Sequence, residues 1–191
     1  ARDCLLVTSA QRNGDEDDPS PEGLNRIGTL VRLRHWERLP EGLMQVVVVG
    51  LKRVSLHRVE VSEKGYRALV SPVEEPETTS SVERLMIDHV VDLYAQHVES
   101  KGKSPSDARN ELEAFSSASE LADYLGNILI TDWQERQKFL SILHPIDRLE
   151  RLAIMLTGSS QIEELESRIR ARVRQQIDKS QREYYLREQL K

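Results

Sequence analysis

The spacing of apolar residues changes between residues 73 and 80, and this change constrains the fold more than any other feature of the chain. From Cys4 to Val73, short runs rich in Val and Leu are separated by Gly and Pro, a pattern typical of strands and turns. From Ser80 onward, apolar residues recur every three or four positions behind helix-start signals. The sequence therefore predicts an α+β fold in which a small antiparallel β subdomain precedes a helical bundle.

The β-rich half contains two segments with turn composition, Pro40-Glu41-Gly42 and Glu63-Lys64-Gly65, which predict two hairpins in a small, curved, mostly antiparallel sheet. An acidic segment from Asn13 to Gly23 predicts a flexible loop between the first two strands. The predicted strands are Cys4–Ser9, Gly28–Arg34, Met44–Val49, Arg53–Val61 and Tyr66–Val73.

Helix-start signals divide the second half. Ser80-x-x-Glu83 is a capping box that predicts a helix to about Val98. A weaker helix is predicted near Asp107–Phe115, and the last helix of the bundle is expected to end at Gly158 in a left-handed cap. The remaining start signals are Ser117-x-x-Glu120, Thr131-x-x-Gln134 and Pro145 as a first-turn proline.

The final segment opens with Ser160-x-x-Glu163 and carries apolar residues at helical spacing without a helix breaker. About thirty residues at ~1.5 Å each make a rod roughly 45 Å long, so we expect this helix to project toward a partner helix or another domain. The predicted domains are therefore a β-rich part at 1–75, a helical bundle at 76–158 and a long helix at 159–191.

Composition excludes several classes of protein. A chain of 191 residues with 38% hydrophobic and 31% charged residues is typical of a globular protein, and its longest apolar run, Val46–Val49, is far too short to span a membrane. The formal net charge of −5 argues against a dedicated nucleic-acid binder. The single cysteine, Cys4, cannot form an internal disulfide, and the first residues lack the features of a signal peptide, so a cytosol-like location is expected.

Two short motifs resemble catalytic or nucleotide-binding signatures. Gly102-Lys103-Ser104 copies the end of a phosphate-binding loop, but it follows a predicted helix and lacks the earlier glycine, so a helix-to-helix linker is the better interpretation. Ser100-x-x-Lys103 has the spacing of a nucleophilic serine with a lysine base, but it lies in the same polar linker and is better interpreted as part of a loop. The five histidines are scattered without metal-ligand spacing. The sequence therefore predicts no catalytic, metal-binding or cofactor-binding residue in this chain.

Two surfaces leave alternatives open. An apolar cluster surrounds the first predicted hairpin turn, where it either closes the core or forms a patch that binds a client protein. The arginines between Arg168 and Arg174 either form a solvated helix face with ion pairs or contact nucleic acid or an acidic client. The apolar cluster consists of Trp36, Leu39, Leu43 and Met44.

Several segments, in order, resemble the N-terminal region of Lon-type ATP-dependent proteases (endopeptidase La). The most specific is the string from Gln181 to Lys191, which resembles the family's lead into its ATPase module. The resemblance covers nearly the whole chain. The other segments are Ile27-Gly28-Thr29, Arg38-Leu39-Pro40-Glu41-Gly42, Val46 to Arg53, Leu121-Ala122-Asp123 and Arg148-Leu149-Glu150-Arg151-Leu152.

The resemblance implies a PUA-like β subdomain, a helical bundle and a long helix joining them to a hexameric ATPase and Ser-Lys protease. By comparison with the family, an opening β segment before Ala1 and everything after Lys191 are expected to be missing. In the family, this region recognises unfolded, damaged or degron-bearing proteins and supports the hexamer in protein quality control and stress response. ATP and Mg are expected only for the full-length parent, and the acidic loop looks longer than in relatives.

These implications assign the apolar cluster to client binding and the last helix to self-association or interdomain contact. The expected partners are unfolded proteins and further copies of the chain, with weak nucleic-acid contact left open and no membrane. The alternative is a stand-alone PUA-like module that binds RNA or an adaptor. A bacterial cytoplasm is expected, with the mitochondrial matrix as the alternative. The helix residues assigned to oligomer or interdomain contact, in coiled-coil fashion, are Ile169, Val173, Ile177, Tyr184, Tyr185 and Leu186.

Overall fold

The structure, a computed structural model, describes residues 4–63, 65–76 and 80–158. By its internal contacts the chain divides into two compact units. The first unit comprises Ala1–Glu77 and Gly126–Pro145, and the second comprises Thr78–Leu125 with the residues from Ile146 onward. Within the part of the chain that is described, no helix has both the length and the apolar character needed to cross a membrane.

The first unit is built on an antiparallel sheet whose strands lie in the order β1-β2-β3-β4. Successive strands pair with one another, so the sheet is a meander in which tight turns join β2 to β3 and β3 to β4. Both predicted hairpins and the α+β class are confirmed. The strands are β1 (Leu5–Thr8), β2 (Ile27–Arg38), β3 (Met44–Ser62) and β4 (Gly65–Pro72).

The prediction of two separate strands, Met44–Val49 and Arg53–Val61, is wrong, because β3 runs through Gly50 without a break. Gly50 lies opposite Val31, and the pairing then shifts so that Leu51 is the one extra residue of a bulge. The glycine therefore marks a bend in a long strand and not a turn between two short ones.

Gly28 allows β1 and β2 to approach closely. A Cβ atom built on Gly28 would overlap the carbonyl oxygen of Thr8, and it would also lie 3.2 Å from Leu56 Cδ1. Because a backbone carbonyl within a paired strand cannot move aside cheaply, only glycine fits at this position.

The helices follow the predicted order. Helix α1 ends at Ser100, two residues after the predicted Val98. Helix α2 covers Pro105–Leu112, so it begins and ends earlier than the predicted Asp107–Phe115. Pro145 is the first helical residue of α5, as predicted. The helices are α1 (Ser80–Ser100), α2 (Pro105–Leu112), α3 (Ala118–Leu129), α4 (Trp133–Leu140) and α5 (145–158).

The linker between α1 and α2 is made of two helix caps, which confirms its interpretation as a linker. Gly102 has φ +75°, and the next residue, Lys103, donates its N–H to the Val98 carbonyl at 3.0 Å, a left-handed C-terminal cap. The Ser104 hydroxyl then accepts from the Asp107 N–H at 3.3 Å and caps the start of α2. These residues serve helix ends and form no phosphate-binding loop.

Three predicted caps are wrong. The N-cap of α4 is Asp132, whose carboxylate accepts from the Glu135 N–H at 2.9 Å, one residue after the predicted Thr131. The Glu83 carboxylate accepts from the Ala118 N–H at 2.8 Å, so it caps α3 instead of completing a capping box on its own helix. Gly158 is still helical and lacks a positive φ.

Helix α4 is held to the sheet within the first unit. The Gln137 side chain donates from Nε2 to the Ile27 carbonyl at 3.0 Å. Val31, Val54 and Leu56 on the strands and Phe139 on α4 are buried. The sheet and α4 therefore share one unit even though about sixty residues of helix and linker separate them in the chain.

The second unit has its own helical core, in which Leu121, Leu125, Leu149 and Leu152 are fully buried. Arg148 is also fully buried, and its guanidinium donates to the Ser119 hydroxyl at 2.8 Å and lies 3.7 Å from Asp123 Oδ1. A buried charge with these partners fixes the register between α3 and α5.

Several predictions concern the C-terminal part of the chain, beyond residue 158. The long final helix, the Arg168–Arg174 stretch and all six residues assigned to oligomer or interdomain contact lie outside the described residues. The domain boundaries at 75 and 158 stay predictions.

Candidate functional site

The β2–β3 hairpin extends beyond its neighbouring strands. On one side β1 pairs with β2 only as far as Arg32, and the Leu33 N–H donates to the Cys4 carbonyl at 2.9 Å. On the other side β4 pairs with β3 only from Val54 onward. We call residues 34–52 the hairpin arm. Every residue of the arm is exposed, because within the described chain its two strands pair only with each other.

The tip of the arm is a tight turn over Pro40-Glu41-Gly42. The Leu39 N–H donates to the Leu43 carbonyl at 2.9 Å and closes the turn. Gly42 has φ +82°, which glycine adopts freely, but Glu41 also has a positive φ of +68°. A left-handed conformation costs a non-glycine residue about 1–2 kcal/mol, so the tip holds its shape at some energetic cost.

One face of the arm is mostly apolar, and its charged member is Arg38 near the tip. The strand register places Trp36 opposite Val46, Leu33 opposite Val48 and Arg38 opposite Met44. Directly paired residues share a face, and side chains alternate between faces along each strand. The face therefore presents a contiguous surface, the apolar face, formed by Trp36, Met44, Val46 and Val48.

The opposite face is mixed. It carries Val47 and Val49 together with Gln45, and its charges are on β2, where His35 Nε2 lies 4.0 Å from Glu37 Oε2. Along β3 no charged residue occurs from Met44 to Leu51. The β3 strand of the arm is thus a long, uncharged and exposed segment, a feature that folded proteins usually avoid.

The structure exposes all four residues of the predicted apolar cluster. Trp36 is 54% exposed, Leu43 61% and Met44 57%, and Leu39 is exposed as well. The interpretation that they close the core is therefore wrong, and client binding by them stays a prediction. Sequence reasoning missed Val46 and Val48, because an unbroken run of valines is typical of a buried strand.

The described residues bear on two kinds of chemical site, a metal site and a catalytic pair. In that part of the chain, no group of three or more His, Cys, Asp or Glu side chains is placed to hold a metal ion. Outside the arm, His57 Nε2 lies 2.7 Å from the Ser71 hydroxyl, and both side chains are on exposed parts of neighbouring strands. The exposed apolar side chains of the arm give it a surface suited to non-covalent binding.

The acidic loop is tied to the sheet, in contrast to the flexible loop predicted. At its base the Arg12 N–H donates to the Gly23 carbonyl at 2.7 Å. Near its middle the Tyr66 hydroxyl lies 2.7 Å from Asp18 Oδ1 and 2.6 Å from the Pro19 carbonyl oxygen. The hydrogen bond to Asp18 raises the pKa of Tyr66 above its ordinary value of 10.0, with smaller contributions from burial and the charge of Asp18.

The fold recurs among solved structures. The N-terminal domain of Mycobacterium avium complex Lon protease superposes with a TM-score of 0.60, covering 81% of this chain and 90% of that one. The two sequences are only 14% identical, so the likeness establishes the α+β fold alone.

The sequence comparisons then establish the family. A family model described as the ATP-dependent protease La (LON) substrate-binding domain matches residues 2–158. The chain belongs to this family of Lon substrate-binding domains, as the sequence resemblance indicated. It is 31% identical over 194 residues to Lon protease of Xanthomonas oryzae pv. oryzae, covering 99% of this chain and 22% of the relative.

A second relative gives the same proportions. Lon protease of Haemophilus influenzae is 31% identical over 192 residues, covering 99% of this chain and 24% of the relative. The chain thus spans about a quarter of the length of the curated relatives that it matches.

Proposed function

We propose that this domain receives unfolded, damaged or degron-bearing proteins for a Lon-type ATP-dependent protease and binds them through the hairpin arm. The observation that carries the proposal is the apolar face of Trp36, Met44, Val46 and Val48, held away from the rest of the sheet. Membership of a substrate-binding domain family supports the same conclusion.

The physical basis for choosing unfolded clients is the hydrophobic effect. Burying apolar surface stabilises a complex by roughly 25 cal/mol for each Å² removed from water. A folded protein has already buried its large apolar side chains, whereas an unfolded chain offers them to the arm. The patch is small, and association costs several kcal/mol of lost freedom, so each arm should bind weakly and release its client readily.

Weak binding by one domain suits a protein that carries several copies. If the parent is a homohexamer, a client held by one arm meets the others at a high effective concentration, which multiplies a weak affinity. The proposal includes this hexamer, a role in protein quality control and a location in the bacterial cytoplasm. ATP and Mg²⁺ would act elsewhere in the parent, and none of the described residues is assigned to them.

The test is fluorescence anisotropy of a labelled protein in its unfolded and folded forms, titrated with the 191-residue chain at low and high salt. The expected result is binding of the unfolded form that persists in high salt, because apolar contacts are not weakened by added salt. A preference for nucleic acid that vanishes in high salt would contradict the proposal and favour the RNA-binding alternative.

Variants locate the binding surface. We expect the double variant Trp36→Ser, Val46→Ser to bind the unfolded client at least five-fold more weakly. Val61→Ser is the matched control, since Val61 is an exposed valine on the same strand but outside the arm. A change of less than two-fold is expected for the control. Equal weakening by both variants would contradict the assignment to the arm.

A further inference from the structure

The hairpin arm has a backbone edge that the described structure leaves unpaired. From Met44 to Lys52, β3 is paired with β2 on one side. On its other side β4 ends opposite Val54, the Val73 N–H reaches the Arg53 carbonyl, and no described residue pairs with β3 between Met44 and Lys52. The open stretch from Met44 to Lys52 has nine residues, and its eight rises of ~3.3 Å make it roughly 26 Å long.

The hydrogen-bonding groups on this open edge follow from the alternation of an antiparallel ladder, in which successive residues face opposite sides. The Arg53 carbonyl faces β4, because it accepts from the Val73 N–H at 3.1 Å. At the other end the Leu43 carbonyl faces β2, because it accepts from Leu39. The alternation can be followed along β3 from Arg53 and from Leu43, allowing for the extra residue Leu51 in the bulge. Both directions give the same set of residues on the open edge. The residues whose N–H and C=O point to the open edge are Met44, Val46, Val48 and Gly50.

The edge lacks the usual protection against pairing. Natural sheets shield exposed edges with charged side chains, prolines or short strands. Here the segment from Gln45 to Leu51 contains no proline and no charge, and it includes four consecutive valines. Such a segment is well suited to pair with another extended chain.

We propose that an extended segment of an unfolded client polypeptide adds to this edge of β3 as a further strand, in line with β4. This inference rests on the proposed function and specifies how the client is held. Backbone hydrogen bonds to Met44, Val46, Val48 and Gly50 supply affinity without sequence preference. Side chains of the added strand flank Val46 and Val48 on one face and Val47 and Val49 on the other.

This geometry defines the chemical class of client. Apart from Gln45, both faces beside the added strand are apolar along β3, so the edge selects uncharged segments rich in β-branched and aromatic residues. Folded proteins keep such segments inside their sheets with every N–H and C=O already paired. The arm therefore recognises two properties of an unfolded chain together, its free backbone N–H and C=O groups and its exposed apolar side chains.

A second copy of the chain fits this edge less well. In a two-fold antiparallel pairing centred near Val48, the partner's Leu39–Leu43 turn would extend past Lys52 toward Val73, which already occupies the position beside Arg53. An unfolded client brings no rigid turn and can bend away at that point. The open edge is therefore assigned to a client and not to self-association.

The test compares Val48→Pro with Val48→Ala. Proline removes the N–H that points to the open edge without removing a hydrogen bond to β2, whereas alanine trims the side chain and keeps the N–H. The probe is a fluorescein-labelled ten-residue peptide of alternating Val and Thr with lysines at its ends. We expect at least a ten-fold loss of peptide affinity for Val48→Pro and less than a three-fold loss for Val48→Ala.

A second probe guards against a misfolded proline variant. The same peptide N-methylated at every inner residue cannot donate backbone hydrogen bonds, and we expect it to bind the unaltered chain at least ten-fold more weakly than the parent peptide. If Val48→Pro fails to fold, the comparison of the two peptides on the unaltered chain still tests whether the client adds as a strand.

Each contrary outcome has a distinct meaning. Equal binding of both peptides, or equal loss in both Val48 variants, would overturn strand addition while leaving the proposed function intact. No binding of unfolded protein or peptide by the unaltered chain would overturn the proposed function as well. A dimer in sedimentation that Val48→Pro converts to a monomer, with peptide binding unchanged, would assign the edge to a second copy and overturn the inference.

Discussion

The Nε atom of Arg53 donates a hydrogen bond to the Leu140 carbonyl oxygen at 3.1 Å and so joins β3 to the end of α4. The same guanidinium reaches Glu75 Oε1 at 3.5 Å through Nη1. Arg53 is buried, and it is the last residue of one of the segments that resemble the Lon family. It connects the base of the hairpin arm to the helix packed on the sheet.

Replacing Arg53 by Met should lower the free energy of unfolding by about 2 kcal/mol, since the Leu140 carbonyl and the Glu75 carboxylate lose a charged partner. Urea unfolding followed by tryptophan fluorescence measures this, because both tryptophans, Trp36 and Trp133, are in the first unit. The matched control is Arg58→Met on the same strand, where the ion pair with Glu60 is exposed and worth well under about 1 kcal/mol. Similar losses in both variants would refute the role given to Arg53.

Gly28 gives a second prediction. In Gly28→Ala the added methyl group would press on the Thr8 carbonyl, so β1 must separate from β2, at a cost of roughly 1–3 kcal/mol. Gly50→Ala is the comparison, because its new methyl group would meet only Thr29 Cγ2 at an ordinary 3.6 Å. Thermal unfolding should show a clear drop for Gly28→Ala and little change for Gly50→Ala. If Gly28→Ala unfolds at the same temperature as the unaltered chain, β1 and β2 do not approach each other as closely as described.

A third prediction concerns which of two neighbouring residues, Thr131 or Asp132, caps the start of α4. Asp132→Ala removes the side chain that accepts from Glu135 N–H and should cost about 1 kcal/mol. Thr131→Ala changes an exposed residue next to the cap, and a shift within about 0.5 kcal/mol is expected. Urea midpoints of the two variants decide, and a larger loss for Thr131→Ala would restore the cap predicted from the sequence.

Tyr66 should titrate above its ordinary pKa of 10.0, because it donates a hydrogen bond to Asp18. A pKa raised on folding means that the tether stabilises the fold below pH 10 and that this stabilisation is lost as the pH rises through the folded pKa. The difference in tyrosinate absorbance between the unaltered chain and Tyr66→Phe isolates this group. Asp18→Ala should bring the midpoint back toward 10.0, and a difference midpoint already at or below 10.0 would contradict the tether.

The order of strands and helices could be predicted from the sequence because it depends on local patterns. Gly50 shows where that reasoning fails: a glycine within a valine-rich run favours a break, but pairing with Val31 and the bulge at Leu51 carry the strand through. Thr131 and Asp132 are both good N-caps, and only the helix backbone decides between them. Glu83 caps a helix 35 residues away, which no local motif reveals.

The candidate site was predicted in part, for a similar reason. The apolar side chains around the Pro40-Glu41-Gly42 turn stand out in the sequence because turns are usually polar. Val46 and Val48 do not, because whether a valine run is buried depends on how far the neighbouring strands extend. Among the described residues, β1 pairs with the hairpin only as far as Arg32 and β4 only from Val54, and those lengths are a tertiary property of the sheet.

The most direct test of client binding uses Trp36 as its own reporter. In a Trp133→Phe variant, Trp36 is the single tryptophan, and it lies on the apolar face of the arm. Its emission should shift to shorter wavelength and become protected from a water-soluble quencher when unfolded protein is added, and it should not respond to the same protein folded. Unfolded protein that binds, by anisotropy, without changing Trp36 emission or quenching would show that the client is held elsewhere.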